Sequence, residues 1–289
     1  MSSPPNNPVP LVPSIAGLGA RFDAWISDIW GVLHNGREAF PAAIAACLAY
    51  RRQGGTIVLV TNAPRPQDDV VAMLRRLGVP DEAYDAVVTS GDVTRELIRP
   101  WEGRRVHHLG PDRQLMIFEG LDVSLAAPAD ADVVVCTGLV DDDSETPDDY
   151  RELLAAFSAR ALTMICANPD IVVERGERIV YCAGALAEAY AAIGGRVEYA
   201  GKPHAPIYQR AFALVDAAKG SPVAKSAILA IGDGLKTDMA GAQNMGLASV
   251  FIGSALHVPH GQLLDENQLA LLFDRHPAPP IAAQRALVW

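Results

Sequence analysis

The 289-residue chain has no long run of Lys and Arg, no closely paired cysteines and no long apolar stretch, and each lack removes a class of function. It has no basic stripe to neutralise a phosphate backbone, and its 34 acidic against 24 basic residues give a formal charge of −10, so no nucleic-acid partner is expected. Cys47, Cys136, Cys166 and Cys182 form no CxxC pair, which argues against a zinc cluster and against a secreted disulfide framework. They read as small buried hydrophobes in a reducing compartment. No segment approaches the length of a membrane span. The proline-rich opening MSSPPNNPVPLVPSIAG lacks the basic flank and continuous apolar stretch of an export signal. The expectation is a cytoplasmic protein without a membrane partner, its first few residues poorly ordered.

Half the residues are apolar, enough at this length to bury one large core and a second smaller one. Runs rich in β-branched residues alternate with Ala/Leu-rich stretches of helical period, which predicts an α/β fold, a Rossmann-like doubly wound parallel sheet with helices on both faces. Strands are expected at about 22–29, 56–60 and 86–89, with helices at 41–52 and 67–77 between them. From about Trp101 the rhythm restarts, with strand-like runs at 106–109, 133–136 and 162–166 and helices near 148–158 and 183–193. Helix 206–218, strand 227–231, helix 237–245 and strand 248–252 then resume the first pattern. The chain therefore reads as a discontinuous core, residues 1–100 and 195–289, with a smaller α/β cap at 101–194. The run Asp141 to Asp143 reads as a solvated turn.

Two strand ends place carboxylates where open α/β sheets put their sites. In WISDIWGVLHNG the apolar strand stops at Asp28 and turns at once through a glycine, which holds the carboxylate rigid yet open to a cleft, as a nucleophile requires. ILAIGDGLKTDMAGA repeats the design with Asp233 and then Asp238 at a helix start, a hard oxygen set for Mg2+. Aspartates also end strands as ordinary turn residues, and Asp238 can serve simply as a helix N-cap. Thr61 and Asn62, closing the second strand, offer a hydroxyl, an amide and backbone N–H groups to an anion, or simply form a turn. Lys202, between Gly201 and Pro203, is either a counter-charge for a phosphoryl oxygen or a solvated surface lysine.

Taken in order, DIWGVLHNG, VTNAPRP, GKPHAPIY and GDGLKTDMAGA resemble the four motifs of the haloacid-dehalogenase superfamily. ANPD at 167–170 is similar to the subgroup with a large α/β cap between the second and third motifs, which includes nucleotide, sugar and pyridoxal phosphate phosphatases. The resemblance implies that Asp28 attacks phosphorus to form an aspartyl-phosphate that water then hydrolyses. It also implies Mg2+ held by the Asp28 carboxylate, the backbone carbonyl of Trp30 and Asp233, with Asp238 as a further ligand or anchor. Thr61, Asn62 and Lys202 would bind the transferring group.

One position departs from the pattern. Phosphatases of the superfamily carry a second aspartate two residues after the nucleophile as general acid and base, and here that residue is Trp30. Indole has no titrating proton in the useful range, so its side chain cannot assist proton transfer, while a main-chain carbonyl can still bind metal. Three readings follow. The first is a phosphatase of a small phosphorylated metabolite that uses another acid, His34 being the nearest, or esters whose leaving groups need little protonation. His34 can equally be a turn histidine bonded to backbone. The second is a dehalogenase, since those enzymes carry an aromatic residue at this position. The third is a ligand-binding or regulatory protein with little turnover. Asn168 and Asp170 are expected to face the cleft and select the leaving group, although Asn-Pro-Asp is also a common turn. Trp30 either stacks on a substrate ring or packs between core and cap. The apolar end RALVW is expected to dock on the core or on a second copy in a homo-oligomer.

Overall fold

The computed structural model describes residues 8–175, 178–253, 264–274 and 276–289; the opening segment expected to be poorly ordered falls partly outside them, at residues 1–7. Strands β1 (Ala24–Asp28), β2 (Thr56–Thr61) and β3 (Ala86–Thr89) open the chain. The middle stretch holds β4 (Arg105–Leu109), β5 (Ser124–Leu125), β6 (Val133–Cys136), β7 (Thr163–Cys166), β8 (Val172–Arg175), β9 (Arg178–Tyr181) and β10 (Arg196–Tyr199). Strands β11 (Ile228–Gly232), β12 (Ala248–Ile252) and β13 (Ala282–Gln284) close it.

A six-stranded sheet has the order β13-β12-β11-β1-β2-β3, and a separate five-stranded sheet the order β10-β7-β6-β4-β5. The neighbours of β1, of β11 and of β12 in the first sheet are parallel. Every pair in the second is parallel as well. The fold class is thus α/β, with a Rossmann-like core and a second, inserted parallel sheet. By internal contacts the chain divides into two compact units, Met1–Val60, Val71–Val87 and Ala211–Trp289 in one, Thr61–Val70 and Val88–Arg210 in the other.

In the first unit, β1 and β11 are buried along their whole length, as their largely apolar sequences, broken in β1 only by Ser27 and Asp28 at its end, lead one to expect of parallel strands covered on both faces. Helix α1 (Pro41–Arg52) begins with proline at its first position, where the fixed φ suits helix entry and the missing N–H would have no intrahelical partner. The chain end docks here on its own core. Leu287 is fully buried, the Ile15 N–H donates to the Val288 carbonyl at 2.8 Å, and the Trp289 ring lies 6.1 Å from Trp25 and 6.2 Å from Tyr50, which stack on each other.

In the second unit, alternation along the strands sorts two cores onto the two faces of its sheet. Val134, Cys136, Met164 and Cys166 face Tyr150, Phe157, Leu186 and Tyr190. Val133, Val135 and Ile165 face Ile98, Ile117 and Phe118. Both faces are therefore apolar, as a parallel sheet demands. All four cysteines are free and buried. Burial pushes the Cys47 and Cys136 thiols up to about 12, so they stay protonated and inert. Asp141 to Asp143 form the expected turn: Asp141 accepts the Asp143 N–H and the Ser144 hydroxyl, while Asp142 and Asp143 meet Arg113 and Arg178. Among the described residues no helix is long and apolar enough to cross a membrane.

Candidate active site

From β1 the sheet of the first unit grows in both directions, toward β2 and β3 on one side and toward β11, β12 and β13 on the other. At such a reversal the crevice beyond the carboxyl ends of the two central strands is where open α/β sheets bind ligands. Asp28 is the last residue of β1, and Asp233 directly follows β11, whose Ile231 pairs with Ser27. Asp238 arrives from a π-helical turn, Leu235–Met239, ahead of helix Ala240–Met245, a wider turn than the regular helix expected from 237. Such turns recur at functional sites. The three carboxylates are buried and offer oxygens within 4.8 Å of one another. The trio Asp141, Asp142 and Asp143, of which Asp141 and Asp143 are exposed and Asp142 half-buried, shares that spacing but not the burial.

Backbone donors fix two of the three. The Ile29 N–H donates to Asp28 Oδ1 at 2.8 Å, and the Gly234 N–H and Thr237 hydroxyl donate to Asp238 Oδ2 at 3.1 and 3.3 Å. Asp238 is therefore not the helix N-cap: it lies inside the π-helical turn, which its carboxylate braces, and it belongs to the carboxylate cluster. Gly31 has φ +78°, and a Cβ there would collide with the Asp233 carboxylate. Only glycine meets both conditions.

Trp30 remains 47% exposed, its indole lying against Gly36 and meeting the His34 ring edge-on at 5.5 Å. His34 is buried, and its Nδ1 accepts the Gly36 N–H at 2.9 Å. Burial also lowers its pKa from the usual imidazole value, which keeps the ring neutral. His34 is therefore the backbone-bonded turn histidine and is poorly suited to donate a proton.

The remaining residues belong to the second unit. Thr61 Oγ1 accepts the Ala63 N–H at 3.2 Å. The Asn62 side chain ties together two distant segments: Oδ1 accepts the Lys202 N–H at 2.7 Å, while Nδ2 donates to Asp170 Oδ1 at 2.9 Å and to the Lys202 carbonyl at 3.2 Å. Asn168 is engaged locally, its Oδ1 accepting the Asp170 N–H at 3.0 Å, the side-chain-closed turn that Asn-Pro-Asp favours. Lys202 is buried rather than solvated, and the rings of Tyr199 and His204, which flank it in sequence, stack on each other at 4.1 Å. One contributor escaped sequence reasoning, and a second was visible there only as a neighbour of Lys202. Ser90 donates to the Asn62 carbonyl at 2.8 Å, and Gly201 sits so close to Asn62 Oδ1 that a Cβ would approach it to 2.5 Å. The glycine before Lys202 was the visible signal for the second, and nothing local marked the first.

A haloacid dehalogenase-like hydrolase profile matches residues 25–124, and a HAD-hydrolase-like profile matches residues 199–268. A crystal structure of a hydrolase of the haloacid dehalogenase-like family from Brucella suis 1330 is 50% identical, covers 96% of this chain and 100% of that one, and superposes with a TM-score of 0.83. Ribonucleotide monophosphatase NagD of Escherichia coli K12 is 27% identical over 237 residues, 80% of this chain and 87% of that protein. A 4-nitrophenylphosphatase structure from Thermotoga maritima shares the fold, with a TM-score of 0.68 at 24% identity over 93% of this chain and 95% of that one. Half-identical to a relative over nearly its whole length, the chain belongs to the haloacid dehalogenase-like hydrolases, in the subgroup whose α/β cap is inserted between the second and third motifs.

Proposed function

We propose that this chain is a Mg2+-dependent hydrolase of small phosphate monoesters that works through an aspartyl-phosphate on Asp28. The observation that carries the reading is the buried trio Asp28, Asp233 and Asp238, with oxygens within 4.8 Å of one another at the strand reversal. Three carboxylates this close and this buried repel one another unless a cation balances them, and an all-oxygen set fits a hard divalent ion. The two relatives named as a ribonucleotide monophosphatase and a 4-nitrophenylphosphatase support the same class of substrate. In this reading residues 101–194 are the cap, and 1–100 with 195–289 the core.

The trio and the Trp30 carbonyl would hold Mg2+, which when bound would neutralise charge on the phosphoryl oxygens. Asp28 is the catalytic nucleophile. With one oxygen fixed by the Ile29 N–H, it forms a new P–O bond as the ester P–O bond breaks, and water then cleaves the acyl phosphate to release inorganic phosphate. Thr61 and Lys202 contact the transferring group, the hydroxyl by hydrogen bonding and the ammonium by charge. Asn62, Asn168 and Asp170 belong to the substrate-binding surroundings. Trp30 supplies no proton and His34 is held neutral, so the leaving oxygen departs without a side-chain acid. The favoured substrates are therefore esters of weakly basic alcohols, phenols or enols.

Trp30 also favours a second reading, a phosphate-ligand-binding protein with little turnover. The dehalogenase reading is disfavoured by the complete carboxylate trio, which carbon–halogen chemistry does not need. Assaying 4-nitrophenyl phosphate and an alkyl phosphate with MgCl2 or EDTA separates the cases. Mg2+-dependent phosphate release that is faster for the aryl ester and abolished in Asp28→Asn is expected. Saturable phosphate binding without release supports the second reading, and halide release from a haloacid would overturn the first.

A further inference from the structure

The Asn62 side chain reads at first as an anion donor, but its hydrogen bonds leave it nothing to donate. A primary amide carries two N–H groups and one carbonyl oxygen. Here one N–H goes to Asp170 Oδ1 and the other to the Lys202 carbonyl, at 2.9 and 3.2 Å. The oxygen takes the Lys202 N–H at 2.7 Å. What remains is an acceptor lone pair, which a phosphate oxygen would repel. The orientation is fixed by chemistry, because the opposite flip would set Nδ2 against an N–H donor and Oδ1 against two acceptors.

The bonds converge on one residue. Both main-chain polar groups of Lys202 are closed by the same side chain, 140 residues away in sequence. Gly201 admits the approach, since a Cβ there would crowd both Asn62 Oδ1 and Pro169. Asp170 anchors the far end, its own N–H held by Asn168 at 3.0 Å. The Asn62 backbone is held in turn, its carbonyl accepting the Ser90 hydroxyl at 2.8 Å.

We infer that Asn62 is a positioning residue: it acts through Lys202, clamping that lysine's main chain to the Asn168–Asp170 turn, and makes no side-chain contact with substrate. The inference rests on the proposed phosphatase reading for the role of Lys202, while the clamp itself stands on the hydrogen bonds. Two consequences follow. Asp170 influences catalysis through the lysine's placement, and the donor and acceptor between positions 62 and 170 are exchangeable.

The exchange of donor and acceptor is the test. In Asn62→Asp the oxygen that accepts from Lys202 survives, but both donors are lost and two carboxylates face each other. Adding Asp170→Asn restores a donor–acceptor pair with the polarity reversed. Amide hydrogen exchange of the segment 200–204 and kcat/KM for 4-nitrophenyl phosphate with MgCl2 are measured on the full chain. Asn62→Ala and Asn62→Asp are expected to speed exchange at the Lys202 N–H and to lower kcat/KM, each on the order of ten- to hundred-fold. The double variant should return both to within about ten-fold of the wild type, since only the weaker contact to the Lys202 carbonyl stays unrepaired, an oxygen there replacing the donor. If exchange recovers in the double variant but kcat/KM does not, Asn62 touches substrate directly and the inference fails. It fails as well if Asn62→Ala leaves exchange at Lys202 unchanged. Should the wild type hydrolyse no ester, the phosphatase reading falls, and the exchange measurements still decide for or against the clamp.

Discussion

Asp233→Asn is expected to make the metal-free protein more stable while removing its response to Mg2+. Oxygens of Asp28, Asp233 and Asp238 lie within 4.8 Å of one another, out of water. At that separation two unit charges repel by about 3.5 kcal/mol in an effective dielectric of about 20. Neutralising Asp233 removes two such pairs, about 7 kcal/mol at the full 4.8 Å before any compensation. Interactions within the site, among them those from the Ile29 and Gly234 N–H groups and the Thr237 hydroxyl, already offset part of this repulsion. A net gain of about 1–3 kcal/mol is therefore expected in EDTA. Binding works the other way, because a cation present at about 100 times its Kd stabilises by about 2.7 kcal/mol. Urea denaturation in EDTA and in MgCl2 measures both effects. Wild type should gain from Mg2+, whereas Asp233→Asn should start higher and gain little. A variant less stable than wild type in EDTA, or one with an undiminished Mg2+ response, would refute the reasoning.

Three other perturbations probe the rest of the structure. Gly31→Ala places a Cβ on the Asp233 carboxylate at φ +78°; a loss of about 1–3 kcal/mol and a weakened Mg2+ response in calorimetry are expected. His108 bonds Thr137 at 2.8 Å, and burial, with a smaller contribution from His107, lowers its pKa to about 4. Because the unfolded chain takes up this proton near the ordinary value of about 6.5, stability should fall as pH drops from there towards 4, and His108→Gln should flatten that slope in denaturation curves. Leu287→Ala opens a cavity under the docked chain end and should cost about 2–5 kcal/mol in urea denaturation at neutral pH.

Most strands of the two sheets were legible because a parallel strand buried on two faces leaves a β-branched run, as in Val133–Cys136, whose ends the sequence places correctly. The carboxylate pair was legible for a related reason: Asp28 and Asp233 interrupt such runs at their carboxyl ends. Helix Ser90–Ile98 was not, since its Ser-Gly-Asp start reads as a loop until Thr89 is seen accepting the Asp92 N–H. Strand β13 has three residues and owes its form to pairing with β12 rather than to any periodicity. His34 and Asn62 show the sharper limit. Each is a polar residue in a glycine- or proline-rich turn, and its partners decide whether it meets a ligand or the backbone. For Asn62 those partners come from 108 and 140 residues away, beyond any local signal.

Acid-quenching the protein during turnover of 4-nitrophenyl phosphate with MgCl2, and locating the phosphoryl group by peptide mass spectrometry, tests most directly whether the carboxylate at the end of β1 is the nucleophile. The adduct should sit on the peptide containing Asp28, require Mg2+, and be absent from Asp28→Asn. Phosphate released at the full rate with no adduct on that peptide, or with turnover intact in Asp28→Asn, would contradict the account.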